Sequence, residues 1–135
     1  MSVSILLSDR RFSVDNRSLS VLLGRVLKGE RAAGISLNVI YCSDNYMTEL
    51  NRRFHDKSGP TDVLAFEIAD RPRRGFIGEV YINLQQAKRQ AGEYGVPYIQ
   101  EVRRLTVHGV LHLLGYRDKN ETDRQIMWSR QEGYL

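Results

Sequence analysis

The chain has 135 residues, the length of one ordinary domain, and its 41% hydrophobic and 27% charged content argues against disorder or a collagen-like repeat. Its single cysteine, Cys42, rules out an intrachain disulfide and fits a reducing compartment. Twenty Lys and Arg against 16 Asp and Glu leave +4, a surplus that serves either plain solubility or attraction to a polyanion such as RNA. No apolar run approaches the roughly 18 residues of a membrane span, and Met1 to Arg10 lacks the blocks of a signal peptide. The expectation is a cytoplasmic protein with no membrane partner, folded as one domain over 1–135.

In chain order, Val3 to Leu7 is a short apolar run that suits an edge strand. Asn16 is placed to cap a helix running to about Glu30, with Leu19, Leu22, Leu23, Val26 and Leu27 on one face. Ser36 to Cys42 alternates, with Leu37, Val39 and Tyr41 on one side, and predicts a strand. Ser43 or Asp44 then caps a second helix to about Phe54, carrying Tyr46, Met47 and Leu50 at helical spacing. Residues 55–61 hold Gly59 and Pro60 and predict a loop. Asp62 to Ile68 and Phe76 to Ile82 read as strands around a basic turn at 70–75, and the two can pair as a hairpin.

Asn83 caps a polar helix that Gly95 ends, and Pro97 opens the next. That next helix, Tyr98 to about Leu114, begins charged and then carries no Asp, Glu, Lys or Arg from Leu105 onward, so its second half is expected to be buried centrally. Gly115 stops it, and Asn120 to Asp123 begin a last helix. Four short strands among about five helices, with one hairpin, predict an α+β fold with a small mixed sheet.

The stretch Val107 to Asp118 (VHGVLHLLGYRD) carries the chemistry. His108 and His112 are two of only three histidines, and they stand four residues apart in an apolar helical segment, hence on one face. Burying two imidazoles there is costly unless their nitrogens find partners, and a metal ion supplies one for each. Gly115 lets the chain turn back, so that Asp118 can bring a carboxylate to the same ion, with Glu121 and Asp123 as competitors that spacing does not separate. Two imidazoles and a carboxylate leave a zinc ion one open position, the mark of a catalytic site at the end of the central helix. The plain alternative is a pair of hydrogen-bonded core histidines beside a solvated aspartate.

This stretch resembles the signature of the YbeY family of bacterial endoribonucleases, His-Gly-x-Leu-His-Leu-x-Gly-Tyr-Asp-His, through His108, Gly109, Leu111, His112, Leu113, Gly115 and Tyr116. Glu49-Leu50-Asn51, Pro60-Thr61-Asp62-Val63-Leu64 with Phe66, and Ile77-Gly78-Glu79-Val80-Tyr81-Ile82 resemble further family segments in the same order. Three positions depart from the pattern: Asp118 stands for the family's usual third histidine, His55 for its usual arginine, and Ala65 for its usual serine. The resemblance implies single-strand RNA cleavage in 3′-end maturation of small-subunit ribosomal RNA and in ribosome quality control. Its partners would be RNA and the small ribosomal subunit, with no DNA.

The expected site then has His108, His112 and Asp118 holding one zinc ion. Iron or manganese is also admissible, because a two-His, one-carboxylate set suits Fe(II) too. A carboxylate in place of a third imidazole should make a bound water less acidic. His55 is the candidate to move a proton near neutral pH. Arg52, Arg53, Arg73 and Arg74 are candidates for the RNA backbone, with Lys57, Arg71, Arg103, Arg104 and Arg117 as further members of a basic groove. Gly109 occupies the place where metallopeptidases of the His-Glu-x-x-His type carry their general base, which argues against that mechanism. Glu79 and Asp62 are weaker candidate bases. The rival readings are a metallohydrolase acting on another substrate, a ribosome-assembly factor whose ion is structural or vestigial, and an Fe(II) oxygenase.

Overall fold

The computed structural model describes residues 2–54, 61–71 and 75–135. The elements run β1 (Ser2–Leu7), α1 (Asn16–Gly29), β2 (Ser36–Cys42), α2 (Asp44–Phe54), β3 (Val63–Arg71), β4 (Gly75–Asn83), α3 (Leu84–Tyr94), α4 (Tyr98–Leu113) and α5 (Glu121–Tyr134). The four strands form one sheet in the order β1-β2-β4-β3. β1 and β4 flank β2 in parallel, and β3 pairs antiparallel with β4. This is the mixed α+β sheet expected, with β1 at an edge and β3 and β4 joined as the hairpin; the loop at 55–60 and the tip at 72–74 lie outside the described residues. Among the described residues, no helix is long and apolar enough to cross a membrane.

β2 is central because both its faces are apolar. Leu37, Val39 and Tyr41 enter the main core with Val80 and Ile82 of β4 and the apolar sides of α1, α3 and α4. Ile40 and Cys42 face the other way, into a smaller core closed by Met47 and Leu50 of α2 and by Tyr81. Burial pushes the Cys42 thiol up to about 12, so the chain's one cysteine is an inert core residue.

The helix ends follow local chemistry with one correction. Asp15, not Asn16, caps α1: Asp15 is the extended residue before the first helical turn, and its carboxylate accepts from Ser18 N at 3.1 Å. Ser43 precedes α2, and its Oγ accepts from Tyr46 N at 3.4 Å. Asn83 and Asn120 cap α3 and α5 through Oδ1, and Gly95 takes the left-handed conformation (φ 65°) after α3.

α4 runs through the middle of the molecule. Thr106 donates to Val102 O at 2.7 Å and accepts from Tyr41 Oη at 2.8 Å, pinning α4 to β2. Two glycines let it lie flat on the sheet. A Cβ on Gly109 would collide with Val80 Cγ1 and come within 2.7 Å of Val63 Cγ1. A Cβ on Gly78 of β4 would collide with Leu113, the residue after His112.

The far side is tied by Glu30, whose side chain is 7% exposed. It accepts from Tyr116 Oη at 2.7 Å, from Arg130 Nε at 2.6 Å and from Tyr134 Oη. One carboxylate thus joins the end of α1, the loop after α4 and the last helix. Burial alone would raise the Glu30 carboxyl, but the three donors outweigh it and hold it below the ordinary value of 4.5. Replacing Glu30 with alanine leaves two tyrosines and an arginine without their acceptor, and urea unfolding should register a loss of about 3 kcal/mol. Because the folded carboxyl sits low, that contribution is complete above pH 4.5. It fades as the pH falls through the lowered folded value, so the gap between wild type and Glu30→Ala should close in acid; a gap constant with pH would exclude the carboxylate as its source.

Candidate metal centre

His108 and His112 project from the same side of α4, one turn apart, with ring centroids separated by 4.5 Å. α4 ends just past them. Leu114, Gly115 and Tyr116 fold the chain back through N–H groups that donate to Val110 O, His112 O and Leu111 O, and Gly115 takes φ 104°. The reversal brings Asp118 Oδ2 to 3.6 Å from His112 Nε2. Ligand atoms of His108, His112 and Asp118 all lie within 4.8 Å of one another. Among the described residues, no other His, Cys, Asp or Glu joins them.

The hydrogen bonds decide which nitrogens are free. His108 Nδ1 is 2.8 Å from Gln131 Oε1, and His112 Nδ1 is 3.2 Å from Tyr116 O. Both partners are acceptors, and the Gln131 amide is oriented by its own Nε2, which donates to Glu132 Oε2 at 3.2 Å. Both imidazoles therefore carry their proton on Nδ1 and leave Nε2 bare. The two bare nitrogens face each other at 3.0 Å. Two lone pairs at that distance repel unless a cation lies between them, and Asp118 adds a third donor atom on the same side.

The arrangement fits a small divalent ion. Two tetrahedral ligands each about 2.0–2.1 Å from zinc stand roughly 3.3 Å apart, close to what is found. A hydrogen-bonded pair of core histidines would require one ring to surrender its Nδ1 proton and its outer bond. Burial also pulls His108 below the ordinary histidine value, which keeps that ring neutral and able to ligate near pH 7.

Gln131, 13 residues beyond Asp118 and on the next helix, is the site residue that the sequence pattern does not reveal. It is 2% exposed on α5 and is the acceptor that sets the His108 tautomer. A buried glutamine in an otherwise polar helix has no pattern that sets it apart, so only packing reveals it. The competitors of Asp118 fall away: Glu121 is engaged by Arg124 and Gln125, and neither it nor Asp123 enters the cluster.

Comparison with known proteins agrees with the motif. A family model described as Endoribonuclease YbeY matches residues 5–135. The chain belongs to the YbeY family. Proteins named endoribonuclease YbeY from Persephonella marina and Carboxydothermus hydrogenoformans are 36% and 39% identical to it. The first alignment covers 93% of this chain and 84% of that protein, and the second 93% and 89%. A YbeY protein from Pelotomaculum thermopropionicum is 42% identical over 113 residues, 79% of this chain and 72% of the relative. The solution structure of a Thermotoga maritima protein matches with a TM-score of 0.67 at 26% identity, over 98% of this chain and 85% of that one.

The other YbeY-like candidates do not all converge. His55, Lys57, Arg73 and Arg74 lie outside the described residues. Arg52 and Arg53 are exposed at the end of α2 and both ion-pair with Glu49, at 2.6 and 3.4 Å. Arg103 and Arg104 point to different flanks of α4: Arg103 donates to Ser18 of α1, whereas Arg104 turns to Glu101 and Glu132. They do not share one basic groove, because adjacent helical residues diverge by about 100°. Glu79 accepts from Tyr81 Oη on the α2 face of the sheet, away from the imidazoles, which removes it as a base. Asp62 lines the same cavity as His108.

Proposed function

We propose that this protein is a single-strand-specific, metal-dependent endoribonuclease acting in the cytoplasm on the 3′ end of small-subunit ribosomal RNA, and in ribosome quality control. Membership of the YbeY family supports RNA cleavage. The observation that carries the metal is the pair of bare Nε2 atoms 3.0 Å apart with Asp118 beside them. His108, His112 and Asp118 would hold one ion, with zinc the first choice and iron or manganese compatible with the donors. Such an ion supplies Lewis-acid chemistry, polarising a phosphoryl oxygen and making a water more acidic.

The chain's own residues do the rest. Gln131 and Tyr116 O hold the imidazoles in the ligating tautomer, and the Glu30 hydrogen bond holds Tyr116. Gly109 faces Val63 and Val80 across the helix–sheet contact, so that position cannot present a peptidase-type base. His55 is assigned the proton transfer. Arg52, Arg53, Arg73 and Arg74 are assigned to the RNA backbone, where a phosphate would compete with Glu49 for the first two.

RNase-free protein treated with a chelator should stop cutting single-stranded RNA and recover when zinc, manganese or iron is restored. Failure to cut with any of the three would overturn the reading. Elemental analysis of the untreated protein identifies the native ion.

A further inference from the structure

Beside the metal cluster lies a cavity of about 480 Å³ between α3, α4 and α5, with His108 and Gln131 on its wall. A smaller one of about 190 Å³ adjoins it, lined by His108, Asp118 and Trp128. The larger cavity holds two polar atoms that are buried without a hydrogen-bond partner among the described residues, Gln90 Oε1 and Arg104 Nε. Gln90 Nε2 donates to Asp62 Oδ2 at 3.2 Å; a carboxylate only accepts, so the amide oxygen is left unused. Arg104 Nη1 donates to Glu101 Oε1 at 3.1 Å, while its Nε stands 3.8 Å from Glu132 Oε2, beyond hydrogen-bond reach. Buried polar atoms in native proteins are normally satisfied, so a spare acceptor and a spare donor in one cavity call for a ligand that offers both.

The walls narrow the ligand's chemistry. Tyr94 and Trp128 are more than half exposed, yet both rings sit over the Arg104 guanidinium, at 5.7 and 5.3 Å from its carbon. That contact holds two aromatic faces at the mouth of the cavity. Asp62 and Glu101 outnumber the single Arg104, so a phosphate is disfavoured there. A flat, neutral heterocycle with donor and acceptor edges satisfies all three features.

We propose that this cavity lodges an unpaired nucleobase of the substrate strand, stacked against Trp128 and Tyr94 with its edge toward Gln90 and Arg104. The inference rests on the RNA-cleaving reading above and assigns that site a base-binding pocket beside its phosphate-handling end. It also supplies a reason for single-strand preference, since a base can enter only when it is unpaired.

Trp128 is the only tryptophan in the chain, so its fluorescence reports on the pocket directly. The test titrates zinc-loaded full-length protein with a short single-stranded 2′-O-methyl oligonucleotide, and in parallel with an abasic strand of the same backbone. The base-bearing strand should quench Trp128 and the abasic strand should not. By anisotropy of labelled strands, Trp128→Ala should weaken the base-bearing strand by roughly five- to hundredfold, the range for loss of one base–aromatic stack, and leave the abasic strand unchanged. Gln90→Leu, which keeps the aromatic walls, should weaken the same strand more modestly. Retained zinc content reports that each variant is folded.

An unquenched Trp128, or variants that bind both strands as wild type does, would overturn the pocket. If RNA is still cut in that case, the nuclease reading survives alone. If neither strand binds and no RNA is cut, both fall.

Discussion

Replacing His112 with alanine is expected to strip the bound metal and to lower RNA cleavage by about three orders of magnitude or more, the equivalent of the several kcal/mol a Lewis acid contributes to a phosphoryl transition state. The side chain is on the last turn of α4 and only partly buried, so its loss removes a ligand without opening the main core. His108 and Asp118 would remain, but the latter is 56% exposed and cannot hold an ion with one imidazole at the affinity of three donors. Elemental analysis and a cleavage assay on the same preparation read both effects. A variant that loses its metal and still cuts RNA at the wild-type rate would remove the ion from the chemistry. A variant that loses both its metal and its cutting, yet still supports subunit maturation, would favour an assembly role.

The second large effect is expected at a residue that touches no metal. With Gln131→Leu, the acceptor for His108 Nδ1 disappears while the volume stays similar. Nothing then holds that proton in place. It can move to Nε2 and be donated to His112 Nε2, 3.0 Å away, which gives the pair a satisfied hydrogen bond with no ion present. Zinc affinity should fall roughly 10- to 100-fold, the usual cost of losing such a support. Gln131→Glu, which retains an acceptor at the same reach, should recover most of it. Competition for zinc against a chromophoric chelator measures both variants; equal affinities for wild type and Gln131→Leu would mean that the tautomer is set by something else.

These two residues also mark how far the chain could be read before it was folded. The imidazole pair was visible because i and i+4 on an apolar helix leave no other geometry, and Gly115 announced the turn that returns Asp118. The order of strands and helices followed from alternation and caps, down to the edge placement of β1 and the β3–β4 hairpin. Arg103 and Arg104 looked alike as neighbouring cations, yet helical geometry sends one to α1 and the other under two aromatic rings.

Local pattern is enough for whatever depends on neighbours within a turn or two: the elements, the ligand pair, the reversal after α4. Choosing Asp118 over Glu121 and Asp123 depends on the exact course of the loop after α4, while enlisting Gln131 and Glu30 as supports and assembling Tyr94, Gln90, Arg104 and Trp128 around one cavity join segments far apart in the chain. Those encounters depend on how α4 beds onto the sheet at Gly109 and Gly78 and on where α5 docks, and no periodicity within a single element encodes that docking.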